Sequence, residues 1–382
     1  MEAAPPERES PGARLPLATV AREWLRIGVI GFGGPPAHIA LLRRRLVEER
    51  RWLEMEEFEA AIAACNLLPG PASTQLAIYC AYRLAGRRGA VVGGLAFIVP
   101  AVVIVTALSV LFLAKSPPQW VRGAGEGAGA AVAAVAVAAA LALLRPSWSR
   151  AVAAGGPRRV RWAGYVVLGA AAGALLGPFL VLVLVGCGAV EVWVELRRRG
   201  GRRLLSHPLA ALLWVAFKVG ALSYGGGFVI IPLMQDDAVH VYHWMTSGQF
   251  LNAVALGQVS PGPVVATVAA VGYAAHGVLG AALASAMAFT PSFLFVLTGG
   301  SRFRRLRHWP PAMAFLNGAG PAAIGAILGA AVPLAAALAH GWQFGVLAAA
   351  AVVLLLLRRG VVETLMGAGV VGVVVALAGG PV

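Results

Sequence analysis

The chain has 382 residues, of which 59% are hydrophobic and only 12% charged, and its formal net charge is +15. That much apolar content cannot be covered as a water-soluble domain of this length, so the composition points to a polytopic membrane protein. The basic excess sits in short arginine clusters between apolar runs, which gives it a topological meaning and excludes the nucleic-acid reading it would carry in a soluble chain.

Residues 1–16 contain Pro, Glu and Arg but no apolar signal-peptide core and no small-residue cleavage site, and are expected to form a disordered tail. A helix needs about 20 residues to cross about 30 Å of hydrocarbon. Apolar runs of roughly that length fall at 17–34, 89–114, 121–145, 162–178 and 179–196, and again at 207–228, 277–299, 311–337, 341–357 and 361–380. The two sets are copies. Sliding the chain by 192 positions brings Gly28 onto Gly220, Phe32 onto Tyr224, Trp52 onto Trp244, Phe58 onto Phe250, and Pro69-Gly70-Pro71 onto Pro261-Gly262-Pro263. After a one-residue gap the match continues through Gly86 and Gly277, Pro100 and Pro291, and Gly127 and Gly318. The repeats are therefore 17–206 and 207–382. Cys65, Cys80 and Cys187 lie in apolar stretches without CxxC spacing and read as packing residues, not metal or redox ligands.

Between the first and second run of each half lies a segment, 58–84 or 249–276, broken at its middle by the PGP triplet. Two prolines remove backbone donors and fix φ, so a straight helix is excluded. Two half-helices of about 15–18 Å remain, the size of a re-entrant hairpin; the alternative is a full span with a proline kink. The arginine clusters at 43–51, 83–88, 150–161, 197–203, 302–307 and 358–359 belong in the cytoplasm, whereas 229–248, with Asp236 and Asp237 and no Lys or Arg, belongs outside. Both flanks of the first PGP segment then lie inside and both flanks of the second outside, which favours hairpins. The fold class is an all-α polytopic membrane protein, its two homologous halves an inverted-topology repeat of about ten transmembrane helices plus two PGP-broken re-entrant hairpins. Arg22 and Arg26, beside an N-terminus that this topology puts outside, count against it.

Inverted repeats with interrupted helices are a recurring design of secondary transporters, with the substrate held where the breaks meet. Pro69, Gly70, Pro71, Pro261, Gly262 and Pro263 mark that place. A half-helix starting at a break offers free N–H groups and a positive dipole end, suited to an anion. Ser73 and Thr74 add hydroxyls to the first break, and Thr267 to the less polar second one. Gly33 and Gly34, with their mates Gly225 and Gly226, can wrap a ligand or cap a helix. Arg26 and Lys218 occupy one repeat position and form either a basic pair that attracts the anion or two snorkelling side chains. Glu126 and His38 are candidates for proton coupling, each with a structural alternative. No GxxxxGK[ST], HExxH or GxSxG pattern is present, so nothing suggests an ATPase or another enzyme, and no cofactor, nucleotide or metal is expected.

The run Gly31-Phe32-Gly33-Gly34-Pro35-Pro36-Ala37-His38-Ile39, Trp52, Phe58, Leu67-Leu68-Pro69-Gly70-Pro71 and Tyr82-Arg83-Leu84-Ala85-Gly86 resembles the chromate ion transporter family. Phe217-Lys218, Tyr224-Gly225-Gly226-Gly227 and Pro261-Gly262-Pro263 resemble the second domain of its long-chain, two-domain form. The resemblance implies an inner-membrane protein that exports chromate and confers chromate resistance by secondary transport, with a proton as the coupling ion. It departs at Asn66, where the family usually has Gln as at Gln258, and at Ala72, where Asn is common. Both positions belong to the expected site, which leaves a sulfate or general oxyanion carrier, or an uncoupled anion channel, as alternatives. Anionic lipid is a further expected contact of the basic loops. The oligomeric state is open, with a homodimer among the options.

Overall fold

The computed structural model describes residues 14–65, 70–114, 116–153, 156–175, 183–190, 208–222, 230–299 and 310–382. All regular structure among them is helical. The first half contains α1 (Leu17–Ile30), α2 (Gly34–Arg43), α3 (Met55–Cys65), α4 (Ala72–Phe112), α5 (Gln119–Ala130), α6 (Val132–Ala153), α7 (Gly156–Leu175) and α8 (183–190). The second contains α9 (Pro208–Leu222), α10 (Ile230–Asp236), α11 (Ser247–Val259), α12 (Val268–Gly299), α13 (Pro310–Ala336), α14 (Gly341–Ala351) and α15 (Val361–Leu377).

The expected span 17–34 departs from a straight crossing. Arg50 Nη2 donates to Glu23 Oε1 at 2.7 Å, 27 positions away, whereas that many residues of continuous helix would separate them by about 40 Å. The chain therefore turns back between α1 and α2, where Gly33 and Gly34 take φ of 100° and 72° that other residues resist. The second half does the same, since Lys218 on α9 pairs with Asp237 only 19 positions on. The expected tail is also shorter at its inner end: Leu15 is buried and its N–H donates to Leu84 O at 3.0 Å.

A second reversal follows at each PGP break. Glu57 at the start of α3 pairs with Arg83 near the end of the first arm of α4 at 2.6 Å, so the two arms run side by side in opposite directions. Then α4, 41 residues long, reverses once more at Ala85-Gly86, where Gly86 has φ of 67°. The doubling back is tight: a Cβ on Gly93 would stand 2.5 Å from that of Ala81. In α12 the same reversal falls at His276-Gly277, and a Cβ on Gly272 would stand 2.4 Å from Gly280 O. Small residues make this possible because they let two backbones touch. Among the described residues four helical stretches are long and apolar enough to cross a membrane, Ala72–Phe112, Gln119–Ser149, Val264–Thr298 and Asn317–Ala336, with Gly341–Leu356 and Val361–Leu377 shorter. Gly86 and Gly277 divide the first and third of these into two arms each.

The repeat extends to backbone detail. Wide π turns at Arg44–Glu49 and Asp237–Val241 end in residues of positive φ, Arg51 at 53° and His243 at 51°, both 192 positions apart in register. The next residue closes each turn identically, Trp52 N to Leu46 O and Trp244 N to Ala238 O, both at 2.8 Å.

Two seams join the halves. Along α5 and α15, a Cβ on Gly127 would lie 2.2 Å from Ala368 O, and one on Gly372 2.0 Å from Gly123 O. Along α7 and α13, Gly169 and Gly325 press equally closely on Ala322 O and Val166 O. Outward faces stay apolar, with Val103, Val370 and Leu279 more than half exposed, as a lipid-facing surface requires.

Candidate functional site

The helix breaks of the two halves converge. Gly262 N–H, in the second PGP triplet, donates to Gly31 O at 2.9 Å, at the end of α1 in the first half. The contact is reciprocal across the repeat: a Cβ on Gly70 would lie 3.4 Å from Gly220 O, and one on Gly262 3.6 Å from Gly28 O. Gly70 and Gly262 hold φ of 120° and 92°. The triplets are thus required for backbone shape, and each PGP break sits on the first helix of the opposite half.

His38 ties this junction together. Its Nε2 lies 2.8 Å from Gly31 O, and because a carbonyl only accepts, Nε2 carries the proton. Nδ1 is left to accept from Ser73 Oγ at 3.3 Å. The fully buried ring stands edge-on to Phe97, with centroids 5.1 Å apart. Ser73 on the first break is therefore linked through His38 and Gly31 to Gly262 on the second. Gly34 belongs to the same place, at 3.7 Å from Val264 for an added Cβ.

The N-terminus of α4 is buried here. Pro71 is its N-cap and offers no side-chain cap, so the N–H groups of Ala72, Ser73 and Thr74 keep no helical acceptor. Thr74 Oγ1 has no partner either, although the residue is 0% exposed. Gln258 Nε2, at the end of α11, is a further buried donor without a partner. In the second break Thr267 spends its hydroxyl on Val264 O at 2.7 Å within a tight 3-10 turn, so that side has less to offer. The arrangement supplies neutral donors and a positive dipole end inside an apolar shell, which suits an anion that has shed its water.

Other expected site residues lie differently. Arg26 is exposed on the outside of α1, whereas Lys218 is buried and committed to Asp237, so the repeat mates do not form an equivalent pair. Glu126 accepts from Gln343 Nε2 at 3.3 Å and faces His340 at 3.8 Å, beside the connection from α13 to α14. Asn66, Pro69, Gly225 and Gly226 lie outside the described residues. Sequence reasoning did not single out Glu23 or Asp237 as partners; an acidic residue inside an otherwise apolar repeat was the available signal. No cluster of His, Cys, Asp or Glu that could hold a metal occurs among the described residues.

A family model described as "Chromate transporter" matches residues 18–192 and 210–376, one match for each repeat. The chain belongs to the chromate transporter family. A chromate transport protein of Cupriavidus metallidurans is 32% identical over 94% of this chain and 93% of its own length. A probable chromate transport protein of Synechococcus elongatus is 30% identical over 83% of this chain and 84% of its own, and a chromate transport protein of Pseudomonas aeruginosa 30% over 82% and 79%. No solved structure matches the chain significantly. The chromate transporter match spans both PGP triplets and the Gly31–His38 run, the residues that the fold brings to one junction.

Proposed function

We propose that this chain is a secondary transporter that exports chromate across the inner membrane, holding the oxyanion where the two PGP breaks meet. The observation that carries the reading is the reciprocal seating of each break on the first helix of the other half, at the buried and uncapped N-terminus of α4. Two repeats joined by a shared junction can rock about it and expose the site alternately to each side.

In this proposal the halves are inverted in the membrane and the PGP segments are re-entrant. The arginine clusters support it, since Arg43–Arg51 and Arg83–Arg88 have repeat mates without Lys or Arg, while the turn between α1 and α2 bears only on where Arg22 and Arg26 lie. Because Leu15 is bonded to Leu84, the start of α1 shares a side with Arg83, Arg87 and Arg88. Arg22 and Arg26 then fall toward the basic, cytoplasmic side and no longer oppose the topology. A proton is the proposed coupling ion.

The test is uptake of labelled chromate into everted vesicles containing the chain, with and without a proton gradient and with competing sulfate. Gradient-dependent accumulation that sulfate blocks weakly supports proton-coupled chromate export. Strong competition by sulfate points to a general oxyanion carrier, and flux without accumulation to an uncoupled channel.

A further inference from the structure

A hydroxyl buried in a helix normally closes a bond to the carbonyl four residues back. Ser109 does so with Val105 O and Ser285 with Ala281 O, each at 2.7 Å. Ser292 on α12 does not: it is 0% exposed and its Oγ has no partner. The physical reason is visible in the packing. Its own acceptor would be Ala288 O, and α9 crosses there so closely that a Cβ on Gly220 would lie 1.8 Å from that oxygen. The crossing crowds the carbonyl and leaves the hydroxyl unspent.

The packing around Gly220 places this turn of α12 near the first break. Ala101 is the mate of Ser292, and a Cβ on Gly262 would lie 2.7 Å from Ala101 Cβ. The first break departs from that contact: a Cβ on Gly70 would meet Gln75 Nε2 at 2.4 Å and Gly220 O at 3.4 Å, and Gly220 in turn packs on Ala288 O, one helical turn before Ser292. One helical turn beyond Gly70 stands Thr74, the other buried hydroxyl without a partner. The two come from opposite halves, and their repeat mates, Ala101 and Ala266, carry no polar group.

We propose that Ser292 is a substrate-binding residue. Its hydroxyl and that of Thr74 donate to one tetrahedral oxyanion at the N-terminus of α4, so that the bound anion bridges the halves on the Gly70 side of the junction. This rests on the transport reading above and adds the residue through which the second half grips the substrate. Removing a hydrogen-bond donor to a charged ligand weakens affinity, whereas removing a hydroxyl already spent on its own helix does not.

The experiment is chromate transport by the full chain in proteoliposomes, comparing Ser292→Ala, Ser292→Thr, Ser292→Val, Thr74→Ala and, as control, Ser285→Ala. Ser292→Ala and Thr74→Ala are each expected to raise KM about tenfold with little change in kcat, the size of one donor to an anion. Ser292→Thr should stay near the parent, Ser292→Val, of the same shape without the hydroxyl, should match the alanine variant, and Ser285→Ala should be unchanged. Equal KM for the Thr and Val variants, or an unaltered KM in Ser292→Ala, overturns the proposal. If the parent chain moves no chromate, the transport reading fails separately, and stabilisation of the purified chain against heat by sulfate is measured instead: its loss in Ser292→Val but not in Ser292→Thr supports the binding role, and its persistence in both refutes it.

Discussion

At the scale of single residues, close backbone approach and buried charge make the sharpest demands. A methyl group at Gly220 would meet a main-chain oxygen, which cannot swing away as a side chain can. Gly220→Ala should therefore lower thermal stability in detergent by about 1–3 kcal/mol or prevent folding. Gly367→Ala, on α15 where an added Cβ meets nothing within 4 Å, should be neutral or stabilising by about 0.5–1 kcal/mol because alanine restricts the unfolded chain. The Lys218–Asp237 pair behaves differently, since both side chains are buried. Lys218→Met strands a carboxylate and should cost about 3–5 kcal/mol in the same melt, whereas Lys218→Met with Asp237→Leu should recover most of that loss. A double variant no more stable than the single one would show that the charge of Lys218 serves something other than Asp237.

Helix pairs are the next scale, and here the fold-back of α1 and α2 changes what a membrane experiment reads. A straight span over 17–34 puts Arg22 and Arg43 on opposite sides, whereas the Glu23–Arg50 bond requires the same side. Both residues are exposed. With the buried Cys65, Cys80 and Cys187 replaced, Arg22→Cys and Arg43→Cys should react with an impermeant maleimide from one side only, and from the same one. Labelling from opposite sides would restore the straight span. The apolar run is helix over 17–30, but a glycine run that can wrap a ligand or cap a helix does not by itself announce a reversal, and only the partner of Arg50 shows that the chain turns back there.

For the whole molecule, the reciprocity of Gly28 with Gly262 and Gly220 with Gly70 means that neither half completes the junction alone. Both seams of small residues also run between halves, so the repeats are interlocked and not merely tethered. Inversion then makes a direct prediction for the two equivalent turns. Arg88→Cys and Leu279→Cys, both exposed beside the Gly86 and Gly277 reversals, should label from opposite faces, with position 88 inside. Labelling from one face would require parallel repeats and would remove the alternating-access account with them.

Composition alone determines that this chain lives in a membrane, because so few charged residues cannot cover it in water. The 192-residue register equally determines that it is built twice, and the PGP triplets determine where helices must break, since a proline lacks the donor a helix needs. Tertiary structure decided what those breaks touch. Nothing local says that Gly262 will bond to Gly31, that Lys218 will spend its charge on Asp237 while Arg26 stays exposed, or that Ala288 will be crowded and leave Ser292 free. Those outcomes depend on which helices cross. A crossing is set by the sum of many small-residue contacts between segments far apart in sequence, a quantity that no local pattern of residues contains.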